Sequence, residues 1–366
     1  MKIKYAFSIG LMLAALSLAG GKGFAQIQTF GWQGVQRQYL VKTPAQQENA
    51  VPVLFFLHGL GDNITRLDNE FHFQQIANEL GWAIVVPQAL NEGIGNMWNA
   101  GMMNSSTDDS GFLMALLDML AEPKQLNLDS VFFTGFSMGG FMSHRMAIEH
   151  GDRIAGCAPV SGLITHYMAT QTPVAPVRML HIHGTSDPVV GYNGGSQYFG
   201  SNLGLSVEAI LDYWQNANGC SGEPEIDTLP DLQNDGLRFV RYTYKCDTEL
   251  QHIKVIGGVH DFYHDNFHDI NYITEIYNFF KSKGGYDNVA NPDVPRPSIW
   301  PNPTTGTLNV KLTEAGWVEL IDPQGRVVLR QHFDAGMAQL DFSAFPEGLY
   351  LLKTSDGVIN KLVLSR

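Results

Sequence analysis

Along the first three quarters of the chain, short apolar runs alternate with longer mixed segments. VPVLFFLHG, WAIVVPQA, SVFFTGFS, IAGCAPVSG and VRMLHIHG are each too short for a buried helix and end on glycine or a polar residue. Continuous apolar runs of this length predict strands buried on both faces. Between them, helical spacing appears in FHFQQIANEL with Asp68 as the expected cap, in SGFLMALLDMLAE from Ser110, and in MGGFMSHRMAIEH up to Gly151. Strand and helix in alternation imply βαβ units and a mostly parallel sheet flanked by helices, with ligands at the carboxyl ends of the strands. NYITEIYNFFKSK, closed by Gly284, is the expected last helix of this region.

The pattern then changes. GGYDNVANPDVPRPS carries Gly, Pro and Asn without apolar periodicity and reads as a linker. Beyond it, LNVKL, WVELID, RVVLRQHF, AQLDF, LYLLKT and INKLVLS alternate with period two, separated by turns such as DPQGR and TSDG. That periodicity predicts a small all-β sandwich. The expected organisation is an export signal at 1–25, an α/β domain at 26–283, a linker at 284–297 and a β-sandwich at 298–366. The first segment, MKIKYAFSIGLMLAALSLAGGKGFAQ, has the lysines, apolar stretch and small residues of a cleaved secretory signal. No later apolar run is long enough to span a bilayer.

Composition narrows the function classes. Of 366 residues, 44% are hydrophobic and 16% charged, with a net charge of −13. That is a globular composition, and its sign disfavours nucleic acid and anionic lipid as partners. In an oxidising compartment Cys220 and Cys246, bracketing a polar loop, are expected to pair, whereas Cys157 sits in an apolar run and needs only burial.

Gly135-Phe136-Ser137-Met138-Gly139 fits G-x-S-x-G between an expected strand and an expected helix. A serine at so tight a turn takes a strained backbone and needs minimal neighbours two residues either side; its hydroxyl then stands clear of the sheet beside the Met138 N–H. A serine needs a base to become a nucleophile. Asp187 in LHIHGTSDPVV lies just past a buried strand, where an acid can orient an imidazole; Asp152 and Asp212 fall in helical contexts. KVIGGVHDFYHDNFHD offers His260, His264 and His268, of which His260 directly follows a strand and glycine turn and is the expected base. The same histidines recur every four residues, so one helix face could instead present them to zinc, making the protein a metal-dependent hydrolase. In LHGLGDN, the Leu60 N–H is the expected partner of Met138 in holding an oxyanion, with His58 bracing that loop and not titrating. Trp98, in NMWNAG, is a candidate for stacking on a substrate or for the core.

HGLGDN, GFSMGG, HGTSDPVV and GGVH, in this order, resemble the α/β-hydrolase esterases grouped with feruloyl esterases, acetyl xylan esterases and polyhydroxybutyrate depolymerases. The resemblance covers most of residues 30–283. It implies Ser137 as nucleophile, Asp187 and His260 as its partners, Leu60 as oxyanion donor, Trp98 as a substrate contact and a Cys220–Cys246 disulfide. Many members carry a tryptophan soon after the histidine, where this chain has Asp261-Phe262-Tyr263. Separately, IWPNPTTGTLNV, VELIDPQGRVV and FPEGLYLLK resemble the C-terminal sorting domain of bacterial type IX secretion cargo, implying export across the outer membrane to the medium or the cell surface. The expectation is a secreted serine carboxylesterase without cofactor or metal, acting on feruloyl or acetyl esters of plant polysaccharide or on a polyester. A surface binding protein that kept the fold without the chemistry is the non-enzymatic alternative.

Overall fold

A computed structural model describes residues 27–282 except 103–104, 197–199, 201–202 and 265–266, and residues 299–364 except 301–303, 305, 313–314, 323–325 and 355–358. The expected signal segment and linker lie outside the described residues. The chain falls into two compact units, Met1–Gly285 and Tyr286–Arg366.

The first unit is built on a sheet of ten strands. In chain order they are β1 (Gln28–Trp32), β2 (Val35–Lys42), β3 (Val51–Leu57), β4 (Ala83–Pro87), β5 (Leu126–Phe136), β6 (Gly156–Val160), β7 (Arg178–Gly184), β8 (Glu225–Thr228), β9 (Arg238–Tyr244) and β10 (Leu250–Ile256). Their order in space is β1-β2-β4-β3-β5-β6-β7-β10-β9-β8. From β4 to β10 neighbouring strands are parallel, and the outer hairpins are antiparallel. The chain steps from β3 outward to β4 and then returns to β5 on the other side of β3. The carboxyl ends of β3 and β5 therefore flank the switch point where an open α/β sheet places its ligand crevice.

The apolar runs earn their continuity by being covered twice. In β3, Val53, Phe55 and Leu57 pack into one core while Leu54 and Phe56 pack into another. The first core takes α3 (Asp109–Ala121), α4 (Met138–His150) and α5 (Val207–Ala217); the second takes α1 (Ile64–Phe71), α2 (Phe73–Leu80) and α6 (Tyr272–Lys281). One helix boundary departs from expectation. Asp68 is inside α1 and caps nothing; Asn63 caps that helix through its side chain, and His72, at φ 52°, separates α1 from α2. Asp108 caps α3.

The second unit holds β11 (Ile299–Trp300), β12 (Thr307–Leu312), β13 (Gly316–Ile321), β14 (Val327–Phe333), β15 (Gly336–Asp341), β16 (Gly348–Thr354) and β17 (Ile359–Leu364). They form antiparallel sheets of order β11-β12-β15 and β14-β13-β16-β17. Alternate side chains from both sheets, among them Leu308, Val310 and Leu340 with Leu320, Leu352 and Leu362, share one core. No helix among the described residues is long and apolar enough to cross a membrane.

Candidate active site

The turn from β5 into α4 is set by backbone crowding. Ser137 has φ 54° and ψ −118°, outside the regions L-residues favour, and strain of this kind persists only where the surroundings over-determine it. Those surroundings are visible at Gly139: a Cβ there would lie 2.0 Å from the Leu57 carbonyl oxygen. A Cβ on Gly135 would lie 2.5 Å from the Gly139 carbonyl carbon. The elbow is thus pressed against the end of β3, and the Ser137 N–H is tied to the Val160 carbonyl of β6 at 2.9 Å.

Asp187 and His260 arrive from the neighbouring strand ends, past β7 and β10. His260 Nε2 lies 2.9 Å from Ser137 Oγ, and His260 Nδ1 lies 2.7 Å from Asp187 Oδ2. The amides of Val189 and Val190 each donate to Asp187 Oδ1 at 2.8 Å. Burial pushes the Asp187 carboxyl up, but the His260 hydrogen bond and charge and the Val190 amide outweigh it and hold the group below its ordinary value. Asp187 is therefore an anion directed at one nitrogen of an imidazole whose other nitrogen faces the serine hydroxyl.

Opposite the elbow, the loop after β3 is braced by His58. This ring is buried; its Nε2 accepts from the Ala89 amide at 3.0 Å and the Gln88 side-chain amide at 2.8 Å, so Nδ1 carries the hydrogen and donates to the Gly59 carbonyl at 2.7 Å. Burial lowers its pKa against the opposing pull of the Gly59 carbonyl and Asp62. In a planar trans peptide the C=O and the following N–H point in opposite directions. Pinning the Gly59 carbonyl toward His58 therefore turns the Leu60 N–H away from it, and that amide has no acceptor among the described residues. Met138, as the first residue of α4, likewise has an N–H without an intrahelical acceptor.

Trp98 does not stand where a substrate contact was expected. It is fully buried, its Nε1 donates to the His58 carbonyl at 3.0 Å, and its ring lies 5.1 Å from the His58 ring. A large apolar ring with one polar N–H suits such a core site, and the indole supports the loop from behind. The histidine row is also rearranged. Residues 257–264 and 267–271 are not helical, so the four-residue spacing puts nothing on a common face. His264 Nδ1 bonds the Phe262 carbonyl and His268 Nδ1 bonds Asp235, while His260 faces Asp187 and Ser137. No three metal-ligating side chains converge among the described residues. Cys220 and Cys246 form a disulfide, and Cys157 is a buried free thiol.

The open side of Ser137 is a cleft of about 510 Å³ with largely apolar walls, including Phe136, Phe141, Met102 and Leu203, and with Asp62, Arg66 and Glu70 also lining it. Phe262, two residues after His260, is buried, lines the cleft and packs edge-on against Phe136. Sequence reasoning missed Gln88, His183 and the Val189 and Val190 amides. Gln88 had a signal, a polar side chain ending a buried strand; the amides had none, because a turn's backbone donors are invisible in residue types.

Residues 38–200 match the phospholipase/carboxylesterase family, and residues 298–364 match the secretion system C-terminal sorting domain. The chain is 31% identical to feruloyl esterase C of Emericella nidulans over 52% of this chain and 70% of that protein. It is 30% identical to a probable feruloyl esterase C of Aspergillus clavatus over 62% of this chain and 76% of the relative. A bifunctional acetylxylan esterase/xylanase of Neocallimastix patriciarum is 25% identical over 62% of this chain, but the match spans 31% of that protein. The chain covers less than half the length of this relative and of two further curated matches.

Proposed function

The chain belongs to the α/β-hydrolase carboxylesterases, alongside the type C feruloyl esterases, and carries a secretion sorting domain; from this we propose that it is an exported serine esterase of plant polysaccharide. Ser137 attacks the ester carbonyl as His260 Nε2 takes its proton. Asp187 holds the imidazole in the tautomer with hydrogen on Nδ1 and stabilises the imidazolium that forms. The N–H groups of Leu60 and Met138 receive the oxyanion, each donor contributing about 2.7–4 kcal/mol to the rate. His260 then returns its proton to the departing alcohol. In the second half-reaction it deprotonates water, which attacks the acyl-enzyme and releases the acid.

The observation that carries the reading is the unbroken chain Asp187–His260–Ser137 at the mouth of an apolar cleft. The cleft walls suit an aromatic acyl group such as ferulate, and small acetyl esters fit the same space. The type IX secretion machinery is the proposed partner of the C-terminal unit.

The test is an activity panel of p-nitrophenyl acetate, methyl ferulate, acetylated xylan and polyhydroxybutyrate, with Ser137→Ala as control and a fluorophosphonate probe as label. The wild type is expected to hydrolyse methyl ferulate or acetylated xylan and to label on Ser137, and Ser137→Ala to do neither. Turnover confined to polyhydroxybutyrate would make the protein a polyester depolymerase. Activity that survives Ser137→Ala but not a chelator would replace the serine mechanism with a metal-dependent one. Failure to label and to cleave any ester would leave a binding protein.

A further inference from the structure

Behind the acid turn lies a group of histidines that the proposed chemistry does not use. His144, His181, His183 and His252 are all buried, and the ring of His181 has the other three at 5.4–5.5 Å. Two of them bond only within the core, and His252 also accepts the Tyr192 hydroxyl at Nε2 at 3.0 Å. His181 Nε2–H donates to the Gly162 carbonyl, His252 Nδ1–H donates to the His181 carbonyl, and His144 Nδ1 accepts from the Trp214 indole.

His183 is different, because its bond goes to the turn that carries Asp187. Its Nε2–H donates at 2.8 Å to the carbonyl of Val190, the residue that ends the turn begun by Asp187. Within that turn the Val189 and Val190 amides both point at Asp187 Oδ1, which leaves Oδ2 for His260. His183 Nε2 is 3.8 Å from Asp187 Oδ2, too far for a hydrogen bond, so it reaches the carboxylate through the backbone it pins.

We propose that His183 is a positioning residue for ester hydrolysis: by holding the Val190 carbonyl it closes the Asp187–Val190 turn and aims the carboxylate at His260. The proposal rests on the triad reading given above. His183 suits the task because it donates without bringing charge. Burial pushes its pKa down to about 4 against the pull of the Val190 carbonyl and Asp187, so it is neutral at ordinary pH and does not rival His260 for the carboxylate. The groups facing it are Asp187 on the turn, His260 from the loop after β10, His181 on its own strand, His144 on α4, His252 on β10 and the edge-on ring of Tyr192 at 5.7 Å.

His183→Leu removes the donor and keeps the bulk, whereas His183→Gln places an amide N–H near the same carbonyl. With p-nitrophenyl acetate, and with kcat expressed per site titrated by fluorophosphonate, His183→Leu is expected to lose about 10–100-fold in kcat with KM nearly unchanged, the signature of lost transition-state stabilisation. His183→Gln should recover to within a few-fold. In His183→Leu the acid limb of the kcat/KM profile should move to lower pH, because a misaimed carboxylate stabilises the imidazolium less. If His183→Leu does not fold, His183→Asn, too short to reach Val190, takes its place against His183→Gln.

Wild-type kcat per titrated site in the Leu or Asn variant overturns the proposal. So does equal impairment of the Gln variant with an unmoved acid limb, which would mark a merely structural role. Asp187→Ala is run in parallel. If it stays active, the triad reading fails and takes this one with it; if it is inactive while His183→Leu is not, only the positioning role fails.

Discussion

The elbow bearing Ser137 and the loop bearing His260 bring the two ends of one hydrogen bond together by opposite means. The elbow is fixed by backbone against backbone: Gly135 and Gly139 leave no room for a side chain between β5, α4 and the end of β3. The loop is crowded in this way only at its root, where a Cβ on Gly184 would lie 2.3 Å from the Gly258 carbonyl oxygen, and not around His260 itself. It is held by side chains: the Tyr263 hydroxyl accepts the Val259 N–H at 3.2 Å, Phe262 is buried among aromatic rings, and the His260 ring rests 4.6 Å from that of Phe136. A nucleophile at a strained φ needs rigid surroundings, whereas a base that shuttles protons between oxygens needs only to be aimed. The division is consistent with what each group is proposed to do.

The largest expected effect comes from closing the space at the elbow. Gly139→Ala puts a methyl 2.0 Å from a backbone oxygen that cannot yield. It should cost more than about 4 kcal/mol of stability and all activity together, read by urea denaturation alongside ester turnover. A stable, active Gly139→Ala would mean that the elbow is not fixed by packing. His260→Ala should separate the two properties. The proposed base is lost, so turnover should fall by roughly 10⁶-fold, while the melting transition shifts little because the loop is carried by Tyr263 and Phe262. A fall in stability as large as that of Gly139→Ala would erase the contrast between the regions.

The smallest effect probes what holds the loop. Tyr263→Phe removes the acceptor of the Val259 N–H and should cost about 1 kcal/mol and lower kcat a few-fold. Turnover indistinguishable from wild type at matched pH would assign the loop's placement to Phe262 alone.

The same contrast explains what could be read in advance. The elbow announces itself because its geometry demands particular residues at particular positions, and glycines two places either side of a serine are a backbone requirement written in residue types. The parallel sheet was equally legible, since strands covered on both faces must be apolar throughout. His260, His264 and His268 are each followed by Asp; only the strand and glycine turn before His260 set it apart, and their spacing also suggested a helix that does not form. Which ring faces Ser137 depends on where β10 ends relative to β5, several strands away in the sheet. Trp98 stayed undecided for a related reason: a tryptophan in a polar loop stretch can serve a cleft or a core, and only the His58 carbonyl behind it decides.

Taken alone, the amino-acid order settles the elements, their alternation, the turn that strains Ser137 and the change of period that marks a second unit. These follow from local sterics and from the burial each face requires, and both leave their mark in neighbouring residues. The tertiary structure decides which histidine meets the serine, that Trp98 braces the loop of Leu60, and that His183 reaches the turn of Asp187. Those are contacts between strand ends far apart in the chain, and no local rule relates residues that meet only when the sheet closes.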